Sequence, residues 1–165
     1  MGKHPKLISL ISFVLFIFLN FYFITFTIEL NGYIVEMDDL KLLLEDISYD
    51  TMLNLISVIT TVLTTISFLF QYIIGKFLLI IFAPENKSRL FYALIPKVFI
   101  MILNIVFMGV LHIQNSWLYM FTALLGAVLI LLFFQYQQKS WKAAILFTAP
   151  FLIDGLFSLG KELLS

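Results

Sequence analysis

Long apolar runs separated by short polar breaks set the rhythm of the chain. The longest, Met52 to Ala83, carries a single charge, Lys76, in 32 residues. As one continuous helix it would extend roughly 48 Å at about 1.5 Å per residue, against a hydrocarbon layer of about 30 Å. It must tilt, break or run into an interface, and the break is expected near Gly75 and Lys76. Its polar residues are not scattered: Thr60, Thr64, Ser67 and Gln71 are spaced by four, three and four, with Ser57 and Thr61 beside them, so they form one helical stripe. Lipid gives a hydroxyl nothing to bond, so the stripe is expected to face protein.

Four further runs are long enough to span. Leu7 to Ile28 is almost wholly apolar, too long for the core of a cleaved signal peptide and followed by no small-residue cleavage site, so it reads as a retained helix. Asn20 within it reads as a helix contact. Leu90 to Leu111 carries Pro96, expected to kink it, and Lys97, whose ammonium is expected to snorkel to the headgroups. Trp117 to Phe134 opens with the interfacial aromatics Trp117 and Tyr119, and Trp141 to Leu159 follows the polar run Gln135 to Ser140. The pattern predicts an all-α, polytopic membrane protein, one domain of five spans at about 7–28, 52–83, 90–111, 117–134 and 141–159.

The main hydrophilic segment, 29–51, holds Glu29, Glu36, Asp38, Asp39, Glu45, Asp46 and Asp50 against Lys41 alone, a net of minus six. Leu40, Leu43, Leu44 and Ile47 within it repeat at helical spacing, which predicts one short amphipathic helix outside the membrane. That helix either rests on the bilayer or bundle end, or offers an acidic patch (Glu36, Asp38, Asp39, Glu45, Asp46) to a cationic peptide or partner subunit. Neither the spacing nor the glycine of an EF-hand calcium loop is present.

Composition agrees with the pattern: 62% of residues are hydrophobic and 12% charged, where soluble domains run near 45–50% and 25%. Formal net charge is zero, which gives a nucleic-acid partner no electrostatic support, and the absence of cysteine removes disulfides, thiolate metal sites and cysteine nucleophiles. With the N-terminus in the cytoplasm, the inner side holds Lys3, Lys6, Lys76, Lys87, Arg89, Lys97, Lys139 and Lys142, and the outer side only Lys41 and Lys161. The positive-inside rule therefore places the acidic segment and the C-terminus outside.

Candidate chemistry is sparse. Asp154 is the one carboxylate within a span, a candidate for a proton, ion or substrate role, a helix contact, or simply a hydrated helix end near Lys161. His4 and His112 fall on opposite sides of the membrane, so they share no metal or proton-relay site. No HExxH, GxSxG, phosphate-cradling loop or carboxylate pair is present, no cofactor is called for, and the chain reads as non-catalytic.

The stretch APENKSRLFYALIP, with Phe91 and Pro96, and the stretch FFQYQQKSWKAAILFTAP, with Lys142, Ala143 and Pro150, resemble the junctions between spans in the Yip domain family, membrane proteins first known as partners of Rab/Ypt GTPases and also found in bacteria. The resemblance covers roughly residues 53–159. It departs from the family pattern in lacking the glycine pair after the second span and the long cytoplasmic N-terminal region. It implies a bacterial plasma-membrane accessory protein that binds an ABC-type peptide exporter or its adaptor subunit and contributes to protection against antimicrobial peptides. The alternative from the residues themselves is a small transporter or channel in which Asp154 and the stripe Ser57, Thr60, Thr64, Ser67 and Gln71 line a polar path.

Overall fold

A computed structural model describes residues 5–31, 48–112 and 116–164 of the chain. Among them are five helices and no strand: α1 (Pro5–Asn31), α2 (Tyr49–Phe82), α3 (Phe91–Gly109), α4 (Ser116–Gln138) and α5 (Trp141–Leu164). Four of these, α1 to α4, contain stretches long and apolar enough to cross a membrane. The acidic segment with Glu36, Asp38, Asp39, Glu45 and Asp46 lies outside the described residues, as does His4.

Local chemistry sets the helix ends. Ser48 caps α2, its hydroxyl accepting from the Thr51 amide at 3.3 Å. Ser140 does the same for α5, accepting from the Ala143 amide at 3.3 Å. Between α4 and α5, Lys139 takes a positive φ of 53° and its amide closes on the Gln135 carbonyl at 2.7 Å, so the polar run ends one helix and starts the next within two residues. His112 (φ 52°) marks the corresponding exit from α3.

The helices pack as a ring. α1 lies against α2 and α3, α3 against α4, α4 against α5, and α5 closes back on α2. Side-chain pairings fix the directions. Asn20 meets Thr64, and Phe16 meets Phe68, so α1 and α2 are antiparallel. Tyr72 meets Phe147 while Phe68 meets Phe151, so α2 and α5 are antiparallel too. Lys6, Lys76, Lys87, Arg89, Lys139 and Lys142 consequently gather at one end, which we call the basic end.

A membrane offers no hydrophobic drive between helices, so close fit must hold the ring. Small residues supply it: Ala93, Ala127, Ala143 and Ala144 are essentially fully buried at the contacts. Aromatic rings fill the basic half, where Phe134 stacks on Phe147 at 4.5 Å between centroids and Tyr92 meets Phe134 edge-on at 5.4 Å. The outward surface is the reverse, with Leu63, Ile66, Phe70, Phe77 and Ile80 all about three-fifths exposed, as a lipid-facing helix requires.

The break expected near Gly75 is not there: α2 runs unbroken for 34 residues. Gly75 instead lets α2 touch α5, since a Cβ at this position would collide with the carbonyl oxygen of Phe147. Pro96 and Pro150 likewise sit inside continuous helices. Gly75→Ala is therefore expected to destabilise despite alanine's better helix propensity, by about 1–3 kcal/mol as overpacking against backbone does. Gly160→Ala, with nothing within 4 Å of the added carbon, is the control. Melting in mild detergent checks the pair; an unchanged midpoint for Gly75→Ala would remove the close approach.

Candidate functional site

The ring leaves a hollow at its centre, about 360 Å³, to which every helix contributes. Phe16, Asn20 and Phe23 come from α1, and Thr64, Ser67, Phe68 and Gln71 from α2. Lys97, Met101 and Asn104 come from α3, Ala123 from α4 and Asp154 from α5. The volume is at the small end of the range for ligand sites.

These positions fall near the middle of their helices, so the hollow lies at mid-depth of the ring. Asp154 is followed by ten further helical residues, to Leu164, or about 15 Å of helix. In the fold it is an exposed residue of α5 that lines the hollow. Lys97 does not simply snorkel to the headgroups. It lines the hollow together with Asp154, the two charges coming from helices that are not neighbours in the ring. Lys97 is half-buried and Asp154 exposed, so the hollow is open along one side. Charges that share a polar hollow are an arrangement in which ionisable groups persist in membranes.

Around the two charges stand hydroxyls and carboxamides. Thr64 is doubly used: its hydroxyl donates to the Thr60 carbonyl at 2.9 Å and accepts from the Asn20 amide, joining α2 to α1. Gln71 donates to the Ser67 hydroxyl at 3.4 Å, and its Oε1 has no hydrogen-bond partner. Asn104, only 8% exposed, likewise has an unpartnered Oδ1. Buried acceptors of this kind are costly unless something donates to them. Nearer the N-terminal end of α2, Ser57 and Thr61 are buried with hydroxyls that also lack partners, while Thr60 is half-buried.

The stripe read from the sequence therefore divides. Thr64, Ser67 and Gln71 line the hollow together with Asp154, whereas Ser57 and Thr60 do not. Of the residues carrying the family resemblance, Phe91, Pro96 and Ala143 are buried packing positions, Pro150 is buried in α5 and Lys142 is exposed at the basic end. Lys97 and Asn104 are the members that sequence reasoning missed as site residues. Their separation of seven, with Met101 between, puts them on one helix face, the signal that finds them. Among the described residues no group of three His, Cys, Asp or Glu side chains stands ready to hold a metal ion.

On α5, toward the basic end of the hollow, Phe151 packs against Phe147 and against Phe68, itself a wall residue. The site is a polar chamber with aromatic rings toward its basic end. Comparison with family models, curated proteins and solved structures gives no match.

The Asn20–Thr64 bond is expected to couple α1 to α2 energetically. A double-mutant cycle with Asn20→Leu and Thr64→Val, read by unfolding in detergent, should give a favourable coupling of about 0.5–1.5 kcal/mol. Additive losses would mean that the two side chains do not act together.

Proposed function

We propose that the chain is a non-catalytic multi-pass membrane protein that binds a small polar, charge-bearing group at mid-depth of the bilayer and moves it across. The observation that carries this reading is that Lys97 and Asp154 line one hollow to which all five helices contribute. A helix contact needs no such volume, and a charge kept only for folding needs no unpartnered acceptors such as Asn104 Oδ1 beside it. In this reading α5 is a fifth span, the basic end is cytoplasmic, and the protein resides in a bacterial plasma membrane with its C-terminus outside. A reporter fused at the C-terminus is accordingly expected to be active only outside the cell.

The accessory reading implied by the Yip-domain resemblance, with an ABC-type exporter as partner and protection against peptides as output, makes no use of the chamber. Its contact surfaces would be the acidic segment and the turns at the basic end. Transport is the reading we carry forward, because it explains why charge is held at mid-depth.

Glycerol 3-phosphate, an anion with two hydroxyls, and alanine, a zwitterion, are suitable probes. Purified protein is expected to melt higher with at least one of them, saturably. Uptake of the same probe into proteoliposomes should fall at least about ten-fold in Lys97→Met and in Asp154→Asn, as loss of a charged hydrogen bond predicts. Parent protein that neither melts higher nor takes up either probe, with variants indistinguishable from it, would count against a binding chamber.

A further inference from the structure

Ser67, Gln71 and Asp154 line two hollows at once. One is the central chamber; the other, about 370 Å³, runs along the α2–α5 seam. The second has the opposite chemistry. Beyond those three residues its walls are apolar, among them Phe70, Ile153 and Phe157, which are between 64% and 76% exposed on the lipid-facing surface. A charged chamber thus shares a polar wall with a greasy groove facing the bilayer.

Resting on the chamber reading above, we propose that the group bound there is the head of a single-chain lipid, admitted sideways between α2 and α5 with its chain lying in the groove. A water-soluble solute has no use for the groove, and a hydrocarbon chain has no use for the chamber. Only an amphiphile satisfies both. The order of groups along it follows from the walls. At the shared wall the lipid meets the Gln71 carboxamide and the Asp154 carboxylate, so a hydrogen-bond donor belongs next to the chain. Deeper, on α3, it meets the Lys97 ammonium, which lines the chamber and not the groove, so an anionic group belongs beyond the donor. A lysophospholipid, with a free glycerol hydroxyl followed by phosphate, has this order.

The test uses full-length protein in nanodiscs and a lysophosphatidic acid carrying a photoreactive diazirine at the chain end. A chain-matched methyl ester without the head serves as reference. Saturable labelling is expected on α2 and α5 residues such as Phe70, Ile153 and Phe157. It should fall about ten-fold in Lys97→Met, return in Lys97→Arg, and be lost in Ile153→Trp, which fills the groove. Melting of each variant confirms that it is folded. Glycerol 3-phosphate, needing only the chamber, should still stabilise Ile153→Trp. Equal labelling by the headless ester, or labelling indifferent to Lys97→Met, would reduce the groove to ordinary lipid contact and overturn the proposal. Stabilisation by glycerol 3-phosphate without lysolipid labelling overturns the lateral route alone. Absence of both removes the lipid proposal together with the chamber reading beneath it.

Discussion

Hydrocarbon cannot accept or donate a hydrogen bond, and the rest of this architecture follows from that constraint. A helix that crosses a bilayer satisfies its own backbone, but each polar side chain along it must find a protein partner or water. The chain carries such side chains on α1, α2, α3 and α5, at Asn20, Thr64, Ser67, Gln71, Lys97, Asn104 and Asp154. No single pair of helices can satisfy them all. A ring can, because each helix turns one face inward while keeping two neighbours and a lipid-facing back. The chamber is where those inward faces meet.

Ring closure depends in turn on how tightly the basic half packs. Gly75 lets α2 approach the Phe147 backbone, and the alanines at the contacts let the other helices follow. Phe134 and Phe147 then fill what remains as a stacked pair. Without hydrophobic drive between helices, contact quality of this kind is the main attractive term available, together with interhelical hydrogen bonds such as that from Gln138 to the Tyr92 hydroxyl at 3.0 Å. The firm half anchors the bundle, and the half with fewer aromatic contacts holds the polar groups.

The sequence makes the helices and the α2 stripe legible, because both are written as local periodicity. Thr64, Ser67 and Gln71 share a face whatever surrounds them. Asn20 was readable as a helix contact for the same reason, though not its partner. Gly75 was misread, because a glycine beside a lysine signals a bend only if nothing packs on it, and the Phe147 carbonyl is far away in sequence. Lys97 was misread because a lysine near a helix start ordinarily reaches for headgroups. Its true surroundings depend on α5, a helix that is not even adjacent to α3 in the ring. What escaped was in each case a contact between elements distant along the chain.

The distribution of polarity along the ring axis gives the chamber a direction. Toward the basic end, the rings of Phe68, Phe147 and Phe151 pack at about 6 Å between centroids. Toward the other end, α2 continues its polar line one and two turns past Thr64, through Thr61 and Ser57, whose buried hydroxyls lack protein partners. Buried hydroxyls on α2 therefore continue past the hollow away from the basic end, while rings are concentrated on the other side. Beside these rings α5 carries Pro150, whose missing amide leaves the Leu146 carbonyl without its helical partner. The ring is thus asymmetric along its axis: one half is closed by packed rings, next to a helix already short of one internal bond.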